Sequence, residues 1–407
     1  MILECIKCRA RYPADTVIYT CNRCGSLLDV VYDYNTLKNE IDWEDIRGRE
    51  FNLWRYREFM PIKDYSKIIS LKEGGTPLYF CEKLSSELNI ELYLKHEGTN
   101  PTGSFKDRGM TVGVSKALEL GVNTVACAST GNTSASLAAY AAKAGLKCLV
   151  LLPAGKVALG KLAQAIMYGA TVIGVKGNFD DALHLIRQAC ESTGMYLLNS
   201  VNPFRLEGQK SIALEIADEF NFDLPDYVIL PVGNAGNISA IYKGFKELYM
   251  LGLTDGVPRM IGVQAEGASP IVDALKSNSG TVIPSKNPET IATAIRIGNP
   301  VNALKAITAI TESKGVAESV SDDEIISAQK EIASKEGILC EPASAASIAG
   351  LKKLREMGVI ERDKKVVAIL TGHGLKDPET IMKSCDAPVE VELDIRKLIE
   401  TIMKMKN

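Results

Sequence analysis

The feature that most constrains this chain is an alternation of two textures. Short apolar runs, rich in β-branched residues or Leu, occur at 124–129 (TVACAS), 148–153 (CLVLLP), 170–175 (ATVIGV) and 195–199 (MYLLN). Between them lie stretches of helical pattern such as 133–143 and 159–168. A second series, 227–232 (YVILPV), 260–264 (MIGVQ) and 366–370 (VVAIL), alternates with helical stretches at 238–251, 322–335 and 343–354. Strands alternating with helices of about ten to fifteen residues indicate βαβ units and parallel sheets covered on both faces. The expected fold class is therefore α/β, with two doubly wound halves. An amphipathic stretch at 393–404 reads as a closing helix.

The composition can fill such halves. Hydrophobic residues make up 46% of 407 positions, and 47 Lys plus Arg against 50 Asp plus Glu leave a net charge of −3. That excludes disorder and leaves room for two sizeable domains with a small appendage. Balanced charge argues against nucleic acid as a partner, because phosphate backbones are held by surplus Lys and Arg. Runs such as 148–152 fall far short of the ~20 apolar residues that span a bilayer. No basic region followed by an apolar stretch opens the sequence, so no signal peptide, no membrane contact and a cytoplasmic location are expected.

Four of the ten cysteines are clustered. Cys5-x-x-Cys8 and Cys21-x-x-Cys24 form two tight pairs separated by twelve residues. Two turns that each present two thiolates make the sulfur set that zinc favours, in the spacing of a zinc ribbon. A redox pair or four unrelated cysteines are the competing readings. A closed four-thiolate site leaves no position for substrate, so the metal would be structural. Cys127, Cys148 and Cys190 sit at apolar periodic positions and read as core.

In open α/β sheets, ligands sit where strand carboxyl ends meet helix amino termini. Four such loops stand out: 98–109 (GTNPTGSFKDRG), 129–136 (STGNTSAS), 233–237 (GNAGN) and 371–377 (TGHGLKD). Gly233, Asn234, Ala235, Gly236 and Asn237 are small enough to turn several N–H groups toward one point, a cradle for phosphate that needs no Lys. A tight turn that binds nothing is the plain alternative. Ser129, Thr130 and Thr133 offer hydroxyls suited to a carboxylate, and Asn132 an amide suited to a phenolic oxygen, although Ser and Thr also serve as simple helix caps. Lys106, at the expected start of a helix and beside Arg108, is pushed toward the neutral amine that attacks an aldehyde. Alone, it would read as an ordinary solvated lysine. His373, between two glycines, and His96 have no assigned part, and His184 reads as packed or solvated.

The ordered set SFKDRG, STGNTSAS, GNAGN and TGHGLKD resembles the fold type II enzymes that use pyridoxal 5′-phosphate. The similarity extends over nearly all of 70–385, including GGTPL, HEGTNPTGSFKDRG, PAGKVALGKLAQA and NSVNPFRLEGQK, and the last two segments resemble the threonine synthase branch. The resemblance implies a larger cofactor-binding α/β domain (71–100 and 205–385) and a smaller one (101–204). A ribbon-like segment (1–30) and a connector (31–70) would precede them, and a C-terminal helix (386–407) would follow. It implies Lys106 as the Schiff-base lysine and proton shuttle, Asn132 on the cofactor's 3′ oxygen, residues 233–237 on its phosphate and Thr371 on its ring nitrogen. Ser129, Thr130 and Thr133 would grip the substrate carboxylate; Asn199, Ser200, Arg205 and Asn234 would hold a substrate phosphate.

The implied reaction turns O-phospho-L-homoserine and water into L-threonine and phosphate, with a homodimer as the expected assembly. Threonine or serine dehydratase and cysteate synthase are the rivals within the superfamily. A zinc-ribbon binding module on a degenerate α/β scaffold is the rival outside it. A glycine string more uniform than GNAGN marks the dehydratases, and the missing basic stripe weighs against the binding module.

Overall fold

The computed structural model describes residues 1–154, 159–177, 179–277, 280–385 and 387–404. Positions 155–158 of PAGKVALGKLAQA, and 386 and 405–407 of the C-terminal segment, lie outside them. Strands β1 (Ile2–Cys5), β2 (Arg11–Pro13) and β3 (Leu28–Val31) form a small antiparallel sheet in the order β2-β1-β3. Next come β4 (Leu78–Phe80), β5 (Glu91–His96), β6 (Thr124–Ala128), β7 (Lys147–Pro153), β8 (Thr171–Val175) and β9 (Tyr196–Leu197). The chain continues through β10 (Tyr227–Pro231), β11 (Arg259–Ala265), β12 (Val316–Val320) and β13 (Lys365–Leu370). They build a six-stranded sheet, β12-β11-β10-β13-β5-β4, and a four-stranded sheet, β8-β7-β6-β9. Every pairing in these two sheets is parallel except β4 with β5.

The apolar runs become strands because both sheet faces are covered. All five residues of β10 are buried. One face meets Ile212, Phe245 and Ile310 from helices Ser211–Glu219, Gly236–Met250 and Ala303–Glu312; the other meets Ile348 and Ile332 from helices Pro342–Glu356 and Asp322–Glu336. The smaller sheet is treated alike: Val114 and Leu137 cover one face, and Ala182 and Ile186 of helix Phe179–Thr193 the other. Cys127, Cys148 and Cys190 are buried in these layers.

Two differences from the sequence reading have physical causes. Strands β5 and β12 carry charges at inward positions, which hides them from an apolar-run search. Lys95 of β5 is fully buried, with its ammonium 3.0 Å from Glu215 and 2.7 Å from Glu219. The C-terminal helix Ile395–Lys404 is present and amphipathic but closes nothing: Ile395, Leu398, Ile399 and Ile402 are all exposed. Among the described residues, no helix is long and apolar enough to cross a membrane.

The cysteine ribbon docks across both sheets. Tyr19 Oη accepts from Leu197 N of β9 at 2.7 Å, Tyr32 Oη donates to Glu207 at 2.8 Å, and Lys305 reaches Asp29 at 2.5 Å. Phe204 packs inside the ribbon's own apolar cluster with Leu3 and Val30.

Candidate active site

Parallel strands end on one edge, and the loops leaving β6, β10 and β13 converge there on a cleft of about 730 Å³. Lys106, Ser129, Thr130, Asn132, Thr133, Asn199, Ser200, the whole of Gly233–Asn237 and Thr371 all line it. Arg205 does not. It is buried immediately behind the wall, with Nη1 3.4 Å from the Ser200 hydroxyl.

The lysine loop is held by main-chain bonds. Phe105 N donates to Thr371 O at 3.0 Å and His373 N to Gly103 O at 2.9 Å, which fastens the start of helix Lys106–Glu119 to the end of β13. Asp107 turns inward and accepts from Thr102 N, Thr102 Oγ1 and Ser136 Oγ. The Lys106 amine lies 4.0 Å from the centroid of the Phe105 ring. Enclosure by protein and the charge of Arg205 pull its pKa down to about 7, with Glu341 opposing.

The cation responsible differs from the one the sequence pointed to. Arg108 is turned away into a buried cluster, with Nε 2.5 Å from Glu97 and Nη1 2.5 Å from Glu215. Residues two apart on a helix face different ways, so chain proximity to Lys106 gives Arg108 no access to its amine.

Arg205 arrives from helix Pro203–Gln209, which crosses helix Lys106–Glu119 closely. A Cβ on Gly109 would lie 2.9 Å from Arg205 Cγ, and one on Gly208 only 1.8 Å from the Arg108 carbonyl oxygen, so glycine is what permits the approach. Arg205 Nε is buried without a partner, and no carboxylate pairs with this guanidinium among the described residues. Burial lowers its pKa to about 10, which leaves it charged at neutral pH.

The residues present suit pyridoxal 5′-phosphate. Helix Gly236–Met250 begins with no side-chain cap, Ala235 before it holds the left-handed conformation (φ 63°), and Asn237 Nδ2 is buried without a partner. Unclaimed donors at a helix start form an anion cradle. Gly233 lets the segment 294–297 pack close beside it, since a Cβ there would stand 3.1 Å from Ala294 O and from Ile295 Cα. Asn132 Nδ2 and Thr371 Oγ1 face the same cleft, and each donates to Glu341 at 2.9 Å.

Sequence reasoning missed Glu341 and the segment 285–299 on the cleft wall, and it singled out the loop 371–377 without assigning Lys376 a part. Glu341 follows a buried Cys in a stretch with no loop motif around it, so no local signal marks it. Asn199 lines the cleft, yet both ends of its amide bind the Ala128 backbone at 2.9 Å, which fixes the end of β6. His373 lies outside the cleft lining; its Nδ1 accepts from Leu375 N and caps a short 3-10 turn. His184 is exposed.

The four ribbon sulfurs lie within 4.8 Å of one another, with separations of 3.5 Å for Cys5–Cys24, Cys8–Cys21 and Cys8–Cys24. Four sulfurs at this spacing can hold a metal ion, and a tetrad so filled would leave no open ligand position.

Comparison with known proteins agrees with this geometry. A family model described as pyridoxal-phosphate dependent enzyme matches residues 69–372. The threonine synthase of Methanocaldococcus jannaschii is 62% identical over 399 residues, covering 98% of both chains. That of Methanosarcina acetivorans is 60% identical over 401, again covering 98% of both. Among solved structures, maize serine racemase superposes with a TM-score of 0.64 at 19% identity, covering 81% of this chain and 92% of that one. A fungal L-serine ammonia-lyase from Rhizomucor miehei gives 0.65 at 22% identity, covering 76% and 98%. These two show a shared fold; the near-full-length relatives show the branch. The chain belongs to the pyridoxal-phosphate-dependent enzymes and, among them, to the threonine synthase family.

Proposed function

We propose that this chain converts O-phospho-L-homoserine and water to L-threonine and phosphate, with pyridoxal 5′-phosphate as cofactor. The observation that carries the reading is a buried guanidinium with no carboxylate partner among the described residues, Arg205, behind the Ser200 wall of a cleft that also holds a lysine with its pKa pulled down to about 7. A desolvated cation of this kind is matched to a phosphate-bearing substrate.

Lys106 would join the cofactor aldehyde, Asn132 would meet its 3′ oxygen, Thr371 its ring nitrogen, and the loop Gly233–Asn237 its phosphate. When bound, the cofactor supplies that aldehyde and a ring into which negative charge at the substrate Cα is delocalised. Ser129, Thr130 and Thr133, at the start of helix Asn132–Ala144, would hold the substrate carboxylate. Ser200, Arg205 and the remaining N–H of Asn199 would hold its phosphate, with Asn234 beside them. An amine with a pKa near 7 both accepts and returns protons at neutral pH, so Lys106 is assigned removal of the Cα proton, then of a Cβ proton as phosphate leaves Cγ, and return of a proton to Cγ. Water then adds its oxygen at Cβ, with its proton passing to the retained phosphate at Arg205, and Lys106 returns a proton to Cα to give L-threonine.

Zinc is proposed for Cys5, Cys8, Cys21 and Cys24. Tetrahedral zinc with sulfur at ~2.3 Å needs sulfur separations of roughly 3.8 Å, close to those present. The remaining cysteines stand as thiols, which suits a reducing cytoplasm, and the assembly proposed is a homodimer. Purified protein tests the reaction. Phosphate release from O-phospho-L-homoserine without ammonia is expected; ammonia from threonine or serine as the main product contradicts it. Lys106→Ala is expected to abolish both turnover and the yellow colour.

A further inference from the structure

Glu341 stands in the cleft wall with 3% of its surface exposed. Its two oxygens serve different partners: Oε1 accepts from Thr371 Oγ1 and Oε2 from Asn132 Nδ2, each at 2.9 Å. The donors come from different lobes. Asn132 opens the helix after β6 of the four-stranded sheet, whereas Thr371 follows β13 of the six-stranded one. The backbone is fitted around this carboxylate. Glu341 N donates to Gly372 O at 3.0 Å, and a Cβ on Gly372 would come within 2.7 Å of Glu341 Cδ.

We propose that Glu341 is a positioning residue that fixes the orientation of the Asn132 amide and the Thr371 hydroxyl, one from each lobe, so that both grip the cofactor ring. The inference rests on the cofactor placement proposed above. A carboxylate only accepts, so Asn132 must turn its nitrogen toward Oε2, which sets the directions left for its second N–H and its oxygen. Thr371 has one proton and gives it to Oε1, so it offers only lone pairs to Ser344, 3.0 Å away, and to the cleft, where it would hold the ring nitrogen in its protonated, N–H form. Glutamine cannot reproduce this: with one accepting and one donating end, it sets an N–H against one of the two donors.

The test measures pyridoxal phosphate affinity and the visible absorption of the bound cofactor in wild type, E341Q, T371V and the double variant. E341Q is expected to weaken binding about tenfold, the usual cost of losing a charged hydrogen bond, and to shift the visible band. Because the two residues act through one hydrogen bond, E341Q should cost less in the T371V background than alone. Wild-type affinity and band in E341Q, or strictly additive losses, would overturn the inference. If E341Q does not accumulate as folded protein, E341D keeps the charge but is one methylene too short to reach both donors. The same band shift is expected there, and an unshifted band overturns the proposal. A wild-type protein with no visible band, or K106A that keeps it, would instead sink the cofactor placement.

Discussion

Lys106 owes its chemistry to burial and to one neighbour. With its pKa near 7, the amine is mostly uncharged at pH 8, whereas a solvated lysine near 10.5 stays charged. Cofactor loading of the apo protein, followed by stopped-flow absorbance, should accelerate from pH 6 to 8 and then level off. Continued acceleration to pH 10 would mean an ordinary lysine. The same shift acts on stability. Between about 7 and 10.5 the unfolded chain binds the extra proton, so apo stability rises with pH across that window. Lys106→Met should therefore stabilise the apo protein most at or below pH 7, with the gain shrinking toward pH 10 in denaturant titrations. Arg205→Met should raise KM for O-phospho-L-homoserine at least about tenfold while leaving the cofactor colour unchanged. A neighbour's identity is the kind of fact that sequence conceals: Arg108 adjoins Lys106 in the chain but is consumed by Glu97 and Glu215, while Arg205 arrives from a separate helix.

At the scale of elements, the strands that can be read from sequence are those whose faces are both apolar, such as β10. Strand β5 escapes because Lys95 is neutralised by Glu215 and Glu219 from a helix more than a hundred residues away, a pairing that no local pattern encodes. The site loops were legible for a related reason: each is a contiguous motif at a strand's carboxyl end, where parallel sheets gather ligands. Glu341 and 285–299 enter the cleft only through tertiary packing. The crossing of helices Lys106–Glu119 and Pro203–Gln209 depends on Gly208, where a Cβ would lie 1.8 Å from a carbonyl oxygen. Gly208→Ala should cost about 2–3 kcal/mol in urea unfolding, since overpacking against backbone cannot relax by rotamer change. It should also impair phosphate-substrate binding through the displacement of Arg205.

The whole molecule places the cysteine ribbon against both lobes, on β9 through Tyr19 and beside Arg205 through Phe204. Zinc stripped by a strong chelator, or Cys5→Ser together with Cys8→Ser, should lower the thermal midpoint and raise KM more than it lowers kcat, because the ribbon supports the helix that carries Arg205. Metal analysis and steady-state kinetics check this together. The chemistry of the whole molecule depends on which amine holds the cofactor. Reduction of the yellow protein with borohydride, followed by peptide mass mapping, fixes the cofactor to the amine that bears it. The label should fall on the peptide containing Lys106; a label on Lys376, or on no cleft lysine, would contradict the account.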